Sequence, residues 1–164
     1  MTKELAIKSN AFKHNERIPV KYTGWGDDIS PELTITNISS SAKSIAVIMD
    51  DLSHPISLMF GKPYNHWLIW NIPVQDIIPE NISHGEYVKE LKGAVQGVGY
   101  GKHRYRGPKP PKFLRGTHRY RYHVYILDCL LELDPTSKKS ELVDAMKSHI
   151  LQEGFIDGLY QNGK

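Results

Sequence analysis

The sequence contains a single cysteine, Cys129, in 164 residues. That excludes an intramolecular disulfide and any CxxC redox or zinc motif. Cys129 lies in the apolar run Ile126-Leu127-Asp128-Cys129-Leu130-Leu131, the setting of an inert core thiol rather than a reactive one. Long hydrophobic runs are missing too. The longest aliphatic stretch, Ile45-Ala46-Val47-Ile48-Met49, falls far short of the roughly 20 apolar residues that span a bilayer, and mean hydropathy is -0.43. The N-terminal segment carries Lys3, Glu4 and Lys8 where a secretion signal needs its apolar stretch, so a cytoplasmic location is expected. Acidic residues are absent from one whole region, Leu91 to Leu127, which holds Lys92, Lys102, Arg104, Arg106, Lys109, Lys112, Arg115, Arg119 and Arg121. With a net charge of only +3, this asymmetry is local: a solvated basic surface, an anion funnel or a nucleic-acid face.

The composition, 40% hydrophobic and 24% charged, is that of a globular protein. With no linker and no repeat, residues 1–164 read as one domain. Short β-like runs separated by Gly, Pro, Asn, Asp and Ser indicate a mainly β sandwich rather than alternating β and α units. Ser44 to Met49 reads as a buried strand, and His66 to Ile72 as another, ended by Pro73. In His118 to Leu127 a period of two sets His118, Tyr120, Tyr122, Val124 and Ile126 on one side and Arg119, Arg121 and His123 on the other. Gly85 to Pro111, rich in Gly and Pro, reads as a long irregular excursion. Near the C-terminus Leu142, Ala145, Met146, His149 and Ile150 follow one helical face. That spacing predicts a helix over roughly Lys138 to Glu153, capped by Ser137 or Thr136 and stopped at Gly154, with Ile150 packed inward.

Asp51, His66 and His118 each sit at a predicted strand end, and form a cluster if those ends share one edge of the sandwich. The bland reading is a solvent-capping aspartate and histidines held by backbone carbonyls. A metal-dependent enzyme built on the Asp/His/His set is an alternative, although no HxD or HExxH spacing occurs. Ser53 and Thr117 lie near histidines, but no GxSxG elbow activates them. A nucleic-acid interface is a further alternative, because Tyr100, Tyr105, Phe113, Tyr120, Tyr122 and Tyr125 alternate with the basic residues as stacking platforms would. Against it, the strand alternation turns Tyr120 and Tyr122 toward the core.

An ordered set of motifs runs through nearly the whole chain. It comprises Phe12, Ile18-Pro19, Tyr22-Thr23, Gly26-Asp27-Asp28-Ile29-Ser30-Pro31, Asp50-Asp51, Asn65-His66-Trp67, Gly107-Pro108-Lys109-Pro110-Pro111, Gly116-Thr117-His118-Arg119-Tyr120 and Gly154 to Tyr160. In this the chain resembles the phosphatidylethanolamine-binding protein family, in particular its small bacterial and archaeal Raf-kinase-inhibitor-like members. The resemblance implies a β-sandwich of two antiparallel sheets with a C-terminal α-helix. It also implies a pocket for phosphate, phosphorylethanolamine-type head groups or similar small anions. Asp51 matches the first aspartate of the family's DPDAP motif, His66 the histidine of its HW strand, and His118 that of its GxHR motif, which Gly116 opens. Pro110 and Pro111 match the pocket-lining loop, and Tyr120 the aromatic after HR. The sequence departs from the family at Leu52-Ser53-His54, where only Pro55 of PDAP remains. The expected role is ligand binding without a cofactor, with kinase or protease modulation as the class of partner the family suggests. A homodimer is left open, and neither stable membrane insertion nor nucleic-acid binding is expected.

Overall fold

A computed structural model describes residues 3–163. The elements are, in chain order, β1 (Ala6–Lys8), β2 (Glu16–Arg17), β3 (Leu33–Thr36), β4 (Ser44–Asp51), α1 (Pro55–Phe60), β5 (Tyr64–Ile72), β6 (Ile77–Ile78), β7 (Tyr87–Val88), β8 (Ala94–Gln96), β9 (His118–Leu127), α2 (Lys139–Met146) and β10 (Ile150–Tyr160). They form a small sheet in the order β1-β3-β6 and a large one in the order β2-β10-β9-β4-β5-β8-β7. Pairing is antiparallel except for the short contact of β2 with β10. The architecture is mainly β, with two sheets and few helices.

The large sheet is the middle layer, which explains why β4 is apolar on both faces. On one side Val47, Met49, Trp67, Ile69, Tyr122 and Val124 pack with Leu33, Ile35 and Ile78 of the small sheet. On the other, Ala46, Ile48, Leu68 and Trp70 pack with Leu142 and Met146 of α2. β9 runs over the predicted range, and its residues alternate between buried and half-buried as the period of two requires.

Two expectations about extent are corrected. The helix ends at Met146 and starts after Lys138, whose N–H the Glu141 carboxylate accepts; neither Ser137 nor Thr136 is its cap. Ile150 and Gly154 belong to β10, which pairs along β9 from Leu127 to His118. The helical spacing that continued to His149 and Ile150 was coincidental, and long-range pairing outweighs it. The helix is therefore followed by a strand, and Ile150 is half exposed rather than packed. The second correction lies within Gly85 to Pro111. β7 and β8 form a hairpin there, joined by a 3-10 turn at Lys89–Leu91 and then by Lys92 and Gly93 at φ of 52° and 84°, and β8 extends the large sheet through β5. Strands this short leave little periodic signal.

β9 is tied to β10 by Asp157, which is buried and takes Arg121 in a two-pronged pair at 2.8 and 2.9 Å and Arg119 at 3.0 Å. Burial alone would raise the pKa of Asp157, but the hydrogen bonds and charges of Arg121 and Arg119 outweigh it and hold the pKa below the ordinary value. Because both arginines reach solvent, Asp157→Ala should cost about 1–3 kcal/mol, read from chemical denaturation at pH 7. A folded pKa below the unfolded value of about 3.9 means that this contribution is present above that value and is lost as pH falls through the folded one. The gap between wild type and variant should therefore close in acid.

Candidate functional site

Register brings the pocket residues together. Asp51, the last residue of β4, pairs with Tyr120 of β9 on one side and Tyr64 of β5 on the other. His66 and His118 each lie two positions from those partners, so the period of two sets them on the same face as Tyr64 and Tyr120. Asp51, His54, Tyr64, His66, Tyr100, Lys109, Pro110, Pro111, His118 and Tyr120 line a cavity of about 160 Å³. That is smaller than the roughly 300–1,000 Å³ of drug-sized sites, and it suits a group of a few heavy atoms.

Six of the expected ligand-binding residues, Asp51, His66, Pro110, Pro111, His118 and Tyr120, are thus brought into one cavity wall. Gly116 is not among the lining residues; it lies in the exposed loop before β9. His54, which stands inside the departure from the family motif, was not singled out from sequence. Only its position three residues after Asp51, in the turn that leaves β4, could have flagged it.

The protein's own hydrogen bonds set the ring orientations. His118 donates from Nδ1 to Asp51 Oδ2 at 2.9 Å, and His66 donates from Nδ1 to the Arg106 carbonyl at 2.8 Å. The second partner is a carbonyl, which can only accept, so a neutral His66 carries its proton on Nδ1 and offers Nε2 as an acceptor. Burial, outweighing the Arg106 bond and the charge of Asp51, lowers the pKa of His66 below its ordinary value. His54 has the opposite arrangement: its Nδ1 accepts the Ile56 N–H at 3.1 Å, so the ring proton sits on Nε2, which is a donor. Tyr64 stacks on His54 at 4.3 Å, while Tyr120 and Tyr100 meet His66 edge to face, both at 5.3 Å. Burial first, then the charge of Asp51, keeps the Tyr120 phenol protonated far above its usual range.

Asp51 is fully engaged within the protein. Besides His118 it accepts the Ser53 N–H at 2.8 Å, and Ser53 Oγ accepts the Arg119 N–H at 3.0 Å. Ser53, where the motif has its second aspartate, therefore keeps the turn tied to β9. Behind the cavity, Asp28 accepts the Gly107 N–H at 2.7 Å and pairs with both Arg104 and Arg106. Gly107 has no room for a side chain, since an added Cβ would lie 2.2 Å from the Tyr22 carbonyl oxygen. Asp28 thus pins the segment that supplies the carbonyl orienting His66.

These contacts revise the reading of the basic stretch. Arg104 and Arg106 are held by Asp28, and Arg119 and Arg121 by Asp157. Lys109, Lys112 and Arg115 have no carboxylate partner among the described residues, and the lysines lie 5.0 and 5.5 Å over the Trp25 ring. Half of the six stacking platforms that nucleic acid would need are unavailable, because Tyr105, Tyr120 and Tyr122 are buried.

The comparisons with known proteins agree with this architecture. Residues 8–161 match the family model described as phosphatidylethanolamine-binding protein. The chain belongs to that family. It is 40% identical over 159 residues to a UPF0098 protein of Pyrococcus abyssi, covering 96% of this chain and 86% of that one. The crystal structure of Escherichia coli YbcL, described as a member of the mammalian family, superposes with a TM-score of 0.84 at 26% identity, covering 97% and 99% of the two chains. A family homologue from Chlamydia trachomatis gives a TM-score of 0.83 at 30% identity over 97% and 98%. Among the described residues no helix is long and apolar enough to cross a membrane.

Proposed function

We propose that the cavity binds a small phosphate-like anion, free or carried as a head group or phosphorylated side chain, and that the protein acts by binding rather than by catalysis. The observation that carries this reading is the set of imidazoles on one small cavity, His54 with Nε2 as donor and His66 and His118 with Nδ1 already committed to the protein. When protonated, His66 and His118 add two further charge-assisted donors at Nε2. Asp51 orients His118 and does not meet the anion, since both its oxygens are occupied. The metal-enzyme reading finds no support, because Asp51, His66 and His118 do not form a group of mutually close donor atoms. Exposed Leu58, Met59 and Phe60 of α1 and Phe113 of the loop before β9 favour an anion presented by a larger partner, a protein such as a kinase or protease being the class the family suggests.

The test is calorimetric titration with sulfate, whose charge does not change across the histidine range. Burial lowers the pKa of His66, so an anion that favours its charged form should draw in a proton on binding. Affinity should therefore weaken as pH rises, by about tenfold per unit for each proton taken up. The heat should also depend on the ionisation enthalpy of the buffer. An affinity independent of pH would contradict the histidine-donor reading.

Lys112 and Arg115, outside the cavity, are charges free to steer an anion inward, and long-range attraction acts on association and fades with salt. Reversing Lys112 and Arg115, which stand outside the cavity, to Glu should slow association by about tenfold or more at low ionic strength while dissociation changes little. A change confined to dissociation would make them direct contacts. Reversal at Arg104 or Arg106 would instead break the Asp28 clamp.

A further inference from the structure

β9 ends and β10 begins opposite the pocket, and beyond their outermost pair, Leu127 with Ile150, the chain leaves the sheet at Asp128 and re-enters it after His149. The Asp128 N–H donates to the His149 carbonyl at 3.0 Å, and His149 Nδ1 lies 2.8 Å from Asp128 Oδ1. Cys129, the next residue, is held by its carbonyl, which accepts from Ser44 Oγ at 2.5 Å. One ligand atom from each of Asp128, Cys129 and His149 lies within 4.8 Å of the others, and among the described residues no other group of His, Cys, Asp or Glu does so.

We infer that Asp128, Cys129 and His149 form a binding site for a borderline divalent transition metal such as zinc. A thiolate, an imidazole and a carboxylate are the donor set that zinc takes, at about 2.0–2.3 Å from each ligand atom. Tetrahedral placement at those lengths puts the donors about 3.3–3.8 Å apart, within reach of small rotations of half-exposed side chains. The backbone is already fixed on both segments by the hydrogen bonds above, so only side-chain freedom is lost on binding. On binding, Cys129 loses its thiol proton to solvent. The metal takes the Nδ1 lone pair of His149, whose remaining ring proton sits on Nε2. Three protein ligands leave a position for water. The site lies at the far end of β9 from His118, ten residues at ~3.3 Å each, and does not depend on the anion pocket.

Untagged protein titrated with Co²⁺ should form a one-to-one complex with a near-ultraviolet thiolate-to-cobalt charge-transfer band, which Zn²⁺ then bleaches by displacement. Cys129→Ser should abolish the band and His149→Ala should weaken binding at least about tenfold. His118→Ala should leave both unchanged, which separates this site from the anion pocket. Saturating zinc should raise the melting temperature of wild type and not of Cys129→Ser. Absence of the band in wild type, or equal metal affinity in wild type and Cys129→Ser, would overturn the assignment and leave Asp128 and His149 a surface ion pair.

Discussion

His118→Ala should weaken phosphate binding by roughly ten- to a hundredfold, and His66→Ala/His118→Ala together should weaken it beyond either single change. A charge-assisted hydrogen bond is worth about 1.5–3 kcal/mol, and each imidazole has one nitrogen for the anion once Nδ1 is committed to Asp51 or to the Arg106 carbonyl. The loss at His118 carries a second consequence, since removing the ring takes away one of the hydrogen-bond donors of buried Asp51. His118→Gln therefore separates donation from support: it should keep the melting temperature closer to wild type than His118→Ala while still losing the charged donor. Calorimetry on the single and double variants with phosphate and phosphorylethanolamine reads these effects. Equal affinity in all of them would make the histidines structural.

The largest stability effect is expected on the face of the large sheet away from the pocket. Leu142 of α2 is fully buried among Ala46, Ile48, Leu68 and Trp70, and truncating such a side chain costs about 2–5 kcal/mol. Ile150 opens β10 and is 37% exposed, so Ile150→Ala should cost about 1 kcal/mol or less. Denaturant unfolding of the two variants measures the contrast. Equal losses would mean that the helix continues past Met146 and buries Ile150, as the residue spacing alone suggests.

That contrast marks where local sequence signals run out. In β4, β5 and β9 the hydrophobic pattern and strand length agree with the tertiary structure, and they were legible as strands for that reason. The segment after Met146 carries two patterns at once. A helical face can be drawn through Leu142, Met146 and Ile150, whereas Phe155, Ile156, Leu159 and Tyr160 fit a strand that Gly154 and Gly158 interrupt. At Gly158 an added Cβ would lie 2.4 Å from Ile18 Cγ1, a contact set by a residue far away in sequence.

The pocket divides the same way. Asp51, His66 and His118 could be marked because each sits at a strand end, and the family resemblance weighted them further. Their meeting depends on the order β9-β4-β5 in the large sheet, which no single strand encodes. The roles of His54 and Asp28 were hidden for a different reason: one acts through a turn that departs from the motif, the other through a clamp on Arg104, Arg106 and Gly107. Before the fold was known, Arg104 and Arg106 were indistinguishable from the free charges of Lys109 and Lys112.

A crystal structure of the protein grown or soaked in phosphate is the most direct test of the central claim. A tetrahedral anion is expected within hydrogen-bonding distance of Nε2 of both His66 and His118, with Asp51 still bonded to His118 Nδ1 and to the Ser53 N–H. A phosphate held only in the separate cavity lined by Trp25, Lys112, Arg115 and Tyr160, with neither histidine touching it, would contradict that account.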